Sequence, residues 1–269
     1  MAPPSFQERL RQEAERASAV SSRSEIERFC KETAKAVLLG LARNPHLEER
    51  DLLRLLQRKD LPHDVMRELA QQKAVRRSYA LQLALVRHPK TPRLVSLPLM
   101  KFLYVFDLLR VAQTPAVPAD VKMVAEEAIL RRLTGMPRGE RISMARRGTG
   151  RLAADLLMSS DLELIRAALD NPYLTEGHLL KVLAREGLPE LVVGQLTHHP
   201  RWSHCYHLRL ALIRNPLTPL ARVLEFLPDM AVTDLRDICL DHRMLPQVRN
   251  YIEAHCTARL NKRRQPPAG

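Results

Sequence analysis

The chain has 269 residues, enough to bury a sizeable core without disulfides. Hydrophobic residues make up 45% of it, but aromatics only 4% and glycine only 9 positions. Leucine and alanine carry the apolar load, and no window holds the alternating β-branched run that a sheet would need, so the composition favours helices over strands.

Lys and Arg outnumber Asp and Glu by 43 to 30, a net charge of +13 that suits either a polyanionic partner or solubility alone. Four scattered cysteines, Cys30, Cys205, Cys239 and Cys256, form no Cys-x-x-Cys pair and read as idle thiols in a reducing compartment. Met1-Ala-Pro-Pro runs straight into a charged helix with no signal peptide, and no apolar run approaches the roughly 20 residues of a membrane span. A soluble, cytoplasmic protein with no membrane partner is expected.

In chain order, residues 1–21 read as a charged lead-in with a frayed or amphipathic helix from Phe6 to Arg16. A first helical half covers 22–133. Ser22-Arg-Ser-Glu25 has the form of a capping box opening a helix through Cys30 to about Ala42. Helices at about 47–58, 62–72, 75–87 and 118–133 follow. Residues 134–166, with Gly135, Pro137, Gly139, Gly148 and Gly150, read as a connecting repeat or hinge with helices near 140–147 and 151–158. The second half, 167–260, repeats the pattern at about 174–185, 189–199, 203–214 and 246–260, and a basic tail at 261–269 is expected to be disordered.

The two halves match at a fixed offset. Arg87-His-Pro-Lys-Thr-Pro92 returns as Arg214-Asn-Pro-Leu-Thr-Pro219, 127 residues on. Pro45, Pro62 and Pro89 correspond to Pro172, Pro189 and Pro216, Tyr79 to Tyr206, and Leu83-Ala-Leu-Val to Leu210-Ala-Leu-Ile. After Thr-Pro the copies slip by one residue, so Val117-Pro118 pairs with Leu245-Pro246. The expectation is an all-α chain, an α-solenoid of HEAT- or armadillo-like repeats built by internal duplication. The corners follow from local chemistry. A residue before proline leaves the helical region, so Arg87-His88 and Arg214-Asn215 close a helix, as do Asn44 and Asn171. Thr91 and Thr218 are then expected as N-caps, with Pro92 and Pro219 at the first helical position.

The Asn-Pro-x-x-Thr-Pro element resembles that of the leucine-rich repeat variant proteins, over about 40–95 and 167–222. The resemblance implies a helical solenoid. An N-terminal cysteine cluster in that family can hold an iron–sulfur centre, but Cys30 stands alone here and the feature is not carried over.

The strongest charge feature is Arg131, Arg132, Arg138, Arg141, Arg146, Arg147 and Arg151, interrupted by Glu140. Such a run can grip phosphates or an acidic partner, or be a solvated helix face. Trp202, beside Arg201, can stack on a base or anchor a partner, but its counterpart Val75 points to a core position. His198, His199, His204 and His207 form the stretch richest in metal-ligand types; the first half has Gln71, Gln72, Arg77 and Ala80 there, so polar helix faces are the reading and no metal is expected. Phe102, Tyr104 and Phe106 lie in the first half only and read as packing or as an exposed contact, with packing the leading expectation; Tyr79 and Tyr206 read as structural.

There is no Gly-x-Ser-x-Gly, Walker loop, Gly-x-Gly-x-x-Gly or His-Glu-x-x-His, so no catalytic residue and no cofactor is assigned. The leading expectation is a non-catalytic scaffold binding a protein or peptide along a concave helical surface. The alternative is a nucleic-acid-binding protein similar in class, size and charge to the basic HEAT-like DNA-repair glycosylases.

Overall fold

The computed structural model describes residues 5–241 and 244–264, with side chains as far as 261. Among them all regular structure is helical, and the chain divides into two compact units, Met1–Gly135 and Met136–Gly269. Among the described residues no helix is long and apolar enough to cross a membrane.

The first unit contains α1 (Phe6–Ala19), α2 (Arg23–Phe29), α3 (Lys35–Ala42), α4 (Glu49–Leu56), α5 (His63–Gln71), α6 (Lys73–Arg77) and α7 (Tyr79–Arg87). It closes with α8 (Arg93–Leu99), a 3₁₀ turn at Met100–Phe102, α9 (Val105–Gln113) and α10 (Ala119–Leu133). Two layers form: α1 packs on α3 and α3 on α5, while α4 packs on α7 and α7 on α9. Their apolar faces meet in one core that includes Phe29, Leu41, Leu52, Leu69 and Leu81.

The second unit contains α11 (Arg138–Arg147), α12 (Gly150–Leu156), α13 (Leu162–Leu169), α14 (Glu176–Leu183), α15 (Glu190–His198) and α16 (Tyr206–Arg214). It ends with α17 (Leu220–Phe226), a 3₁₀ turn at Leu227–Asp229, α18 (Val232–Cys239) and α19 (Pro246–Arg264). Here α11 packs on α13 and α13 on α15, while α12, α14, α16 and α18 follow one another in the other layer. Both ends of α2, α3, α4, α5, α7 and α8 fall 127 residues before those of α12 to α17. The stretch read as a connector therefore supplies α11 to α13 of the second unit, in the places that α1 to α3 hold in the first.

The same hydrogen bonds recur at this offset. Asn44, fully buried, donates from Nδ2 to the carbonyls of Ala17 (2.8 Å) and Val20 (2.7 Å) and accepts from His46 N–H (2.8 Å). Asn171, equally buried, donates to Ala145 (2.7 Å) and Gly148 (3.0 Å) and accepts from Tyr173 N–H (2.7 Å). The Tyr79 hydroxyl donates to Asp107 (2.5 Å) and accepts from Tyr104 N–H; the Tyr206 hydroxyl donates to Asp234 and accepts from Ala231 N–H. Arg132 closes the first 3₁₀ turn through the Leu103 carbonyl (2.5 Å), and Arg259 the second through Met230 (2.6 Å).

Several local expectations are corrected. Thr91 and Thr218 donate their hydroxyls backward to Leu85 and Leu212 (2.6 Å each), tying off the helix behind; Pro92 and Pro219 are themselves the N-caps ahead. Ser22 makes no capping bond, because its hydroxyl faces Ser24 and Glu25 is held by Arg16. The expected helix through Cys30 to Ala42 breaks into α2 and α3, and 75–87 splits at Ser78, whose hydroxyl caps α7. The lead-in is not frayed: α1 reaches Ala19 and buries Ala17 against α3. The helix of α19 runs past the expected start of the tail, and 265–269 lie outside the described residues. All four cysteines are free, and burial pushes the Cys30 thiol up to about 11, away from thiolate chemistry.

Gly40 marks the closest backbone approach of α1 to α3: a Cβ there would collide with the carbonyl of Ala14. Gly40→Ala is expected to lower stability by about 1–3 kcal/mol, while Gly139→Ala, with nothing near it, should be neutral or stabilising; urea midpoints check both.

Burial and the Asp107 bond raise the Tyr79 pKa above its usual value near 10, and the Asp234 bond raises that of Tyr206. A raised phenol pKa favours the protonated folded state, so this stability is complete below about pH 10 and is lost as pH rises through the folded-state value. Tyr79→Phe with Tyr206→Phe should cost about 1 kcal/mol per bond at neutral pH, and the gap to the parent should close above pH 10 in alkaline melts.

Candidate functional site

Arg131 and Arg132 lie in the first unit, and Arg138, Arg141, Arg146, Arg147 and Arg151 in the second. Arg131 pairs with Glu127 one turn back (2.6 Å), and Arg132 is held by the Leu103 and Lys101 carbonyls. Arg138 bridges α11 to the start of α13, binding Asp161 (2.6 and 2.9 Å) and Glu163 (2.8 Å). Those bonds hold the Asp161 carboxyl down at about 2, and its oxygen also caps α13 at Glu163 and Leu164 N–H. Arg141 is half-buried, while Arg146, Arg147 and Arg151 are exposed at the end of α11 and the start of α12.

Trp202 is only 3% exposed, which removes it as a platform for a partner. Its indole N–H donates to the Leu169 carbonyl at the end of α13 (2.9 Å), and Arg201 lies over the ring at 4.1 Å. In the first unit the equivalent carbonyl, on Ala42, is served by Gln72 (2.6 Å), with Val75 in the place of the indole. A pocket of about 420 Å³ lined by Ala42, Pro45, Leu47, Gln72 and Ala74 remains open there.

The four histidines turn to different partners. His198 accepts from Arg222 (3.0 Å), His199 faces Asp170 (3.2 Å), His204 faces Arg209 (3.3 Å) and His207 faces Glu176 (3.3 Å). Among the described residues no group of three His, Cys, Asp or Glu side chains is placed to share an ion.

The second unit holds a groove of about 650 Å³ between the end of α14 and the end of α16. Leu180, Leu183, Leu188 and Leu217 give it an apolar floor, with Arg185, Arg214 and Asn215 among its polar rim. Its origin is visible in the other unit, where Arg58 donates to the Cys30 and Glu32 carbonyls (2.7 Å each) and to Asp60 (2.6 Å). There His88 closes the gap by donating from Nε2 to the Arg58 carbonyl (2.7 Å), its Nδ1 accepting from Lys90 N–H. Burial keeps the His88 pKa below its ordinary value, in keeping with a neutral ring. In the second unit Asn215 and Gly187 replace His88 and Asp60. Among the described residues the Asn215 side chain bonds only to Leu217 N–H (3.0 Å), Gly187 sits at φ +69°, and Arg185 turns away to Asp155 (2.7 Å). Among the described residues Arg214 makes no ion pair. The geometry can take an extended chain: an apolar floor for a side chain, an amide for a peptide group and a guanidinium for a carboxylate.

Phe102, Tyr104 and Phe106 do not pack inward as expected. They are 55%, 70% and 42% exposed, because the short 3₁₀ turn and the first turn of α9 carry them on the outer side of the chain. The groove was not read from the sequence, although the exchange of His88 for Asn215 was a signal in plain sight, and an exposed contact at the rings was the lesser of two readings.

No protein-family model matches this chain, and neither the curated proteins nor the solved structures contain a detectable relative.

Trp202 is the sole tryptophan, so its emission reports on its site. Acrylamide is expected to quench it weakly in the native protein and strongly after unfolding, and strong native quenching would contradict its burial.

Proposed function

We propose that this chain is a non-catalytic helical-repeat scaffold, an α-solenoid built by internal duplication, that binds a protein or peptide partner. The recurrence of the Asn, Tyr–Asp and Arg–carbonyl bonds 127 residues apart supports the duplication, since unrelated helical stacks have no reason to share buried polar bonds at matched positions. Successive packing of helices within each layer supports a solenoid of HEAT- or armadillo-like type.

The observation that carries the binding reading is the groove beside Asn215. A repeat framework that seals this place in one unit and leaves it open in the other provides a cleft of ligand-binding size, with a few polar groups over an apolar floor. An extended peptide bearing an apolar side chain next to a carboxylate suits it. Net positive charge alone argues little for a nucleic acid, because basic side chains are spread over helices of both layers and many are neutralised, such as Arg23 by Asp51 and Arg93 by Asp120.

The experiment is selection of displayed random peptides on the parent protein, followed by calorimetry against Asn215→His, which restores the first unit's sealing side chain. Selected peptides should bind the variant about tenfold more weakly or worse. Failure to select any peptide, or equal binding by the variant, would remove the groove as the site.

A further inference from the structure

The two units also differ at the end of α6, the 3₁₀ turn at Met100–Phe102 and the start of α9, and at the corresponding positions of the second unit. The first unit carries Arg76, Arg77, Lys101, Phe102, Tyr104 and Phe106. The corresponding positions of the second carry Ser203, His204, Pro228, Asp229, Ala231 and Thr233. Three cations and three rings stand against one carboxylate and small or neutral groups.

In the second unit three of these positions, Ser203, His204 and Asp229, are neighbours in space. There a single side chain, Arg209, spans them: it donates to the Ser203 carbonyl (2.6 Å), faces the His204 ring (3.3 Å) and pairs with Asp229. In the first unit Gln82 takes that place, with its amide turned in to the carbonyls of Val75 (3.0 Å) and Arg76 (3.4 Å). Phe102 replaces the carboxylate, with the Lys101 ammonium 4.9 Å from its centroid, and the Tyr104 ring lies 4.7 Å from Tyr79. Arg76 and Arg77 are exposed and make no ion pair among the described residues. The acids nearby are engaged, Asp107 by the Tyr79 hydroxyl (2.5 Å) and Glu49 by the Ser78 hydroxyl (2.8 Å).

Exposed rings beside unpaired cations match a ligand that has both flat faces and negative charge. We infer that this surface binds single-stranded nucleic acid, with bases stacked on Phe102, Tyr104 and Phe106 and phosphates met by Arg76, Arg77 and Lys101. A duplex keeps its bases stacked on each other, and an acidic peptide would use the cations but leave the rings idle. This surface belongs to the first unit and the peptide groove to the second, so either can fail without the other.

Fluorescence anisotropy tests it, using labelled oligo(dT) and oligo(U) of about 12 nucleotides, a duplex of the same length and a polyglutamate peptide, across a salt series. The parent should prefer the single strands, with a log–log salt slope of about −2 for three phosphate contacts. The variant Phe102→Ser with Tyr104→Ala and Phe106→Thr removes the three exposed rings without adding charge, the last two being the second unit's own residues; its thermal melt confirms folding. It should bind about tenfold more weakly or worse with the slope largely kept. Arg76→Glu with Arg77→Glu, both exposed, should flatten the slope. No single-strand binding at low salt, equal affinity for duplex or polyglutamate, or an unweakened ring variant would each overturn the inference.

Discussion

The structure depends on a buried amide that appears once in each unit. Asn44 and Asn171 have no solvent exposure, and each amide serves two carbonyls at the end of the layer's neighbouring helix, α1 or α11, while its oxygen receives the N–H two residues on. A buried amide is tolerable only when its hydrogen bonds are made, which fixes the distance between the helix that ends at the asparagine, α3 or α13, and its neighbour in the same layer, α1 or α11. Leucine and alanine faces would pack in many registers; this polar clamp selects one. The Tyr79–Asp107 and Tyr206–Asp234 bonds do the same in the other layer, linking α7 to α9 and α16 to α18.

With the framework held by a few polar contacts, the remaining positions can differ between the units, and the differences are reciprocal. The first unit seals the gap under His88 and leaves one open where Trp202 would sit; the second fills that place with Trp202 and opens the gap beside Asn215. The exchange of His88 for Asn215 opens a surface, while that of Val75 for Trp202 is made within the core. Much of the positive charge is structural: Arg58, Arg132, Arg138 and Arg259 hold carbonyls or carboxylates in place.

The helical class and most helices were legible in the sequence because proline corners and leucine spacing are local signals. The halves could be aligned through Pro45, Pro89 and Thr91 and their partners, but α1 and α11 share no such marker, so the lead-in and the connector were not recognised as equivalent. Asn44 and Asn171 were visible as helix stops, but their cross-helix bonds depend on which carbonyls the fold brings near. Thr91 was misjudged because a hydroxyl before proline can serve either helix, and only the turn geometry sends it back to Leu85. The exposure of Phe102, Tyr104 and Phe106 was the lesser reading for a related reason: apolar character argues for burial, and a three-residue 3₁₀ turn that carries rings outward leaves no periodicity to read. Similarities between the halves gave the framework, whereas the candidate sites lie where the halves differ.

The most direct test of this account is hydrogen exchange followed by mass spectrometry on the parent, Asn44→Ala and Asn171→Ala. The account predicts that Asn44→Ala exposes amides around 17–20 and 46–47 and leaves the second unit protected, and that Asn171→Ala exposes those around 145–148 and 173–174 instead. Unchanged protection at those segments, or a loss spread evenly over both units from either substitution, would contradict the claim that one buried amide organises each unit.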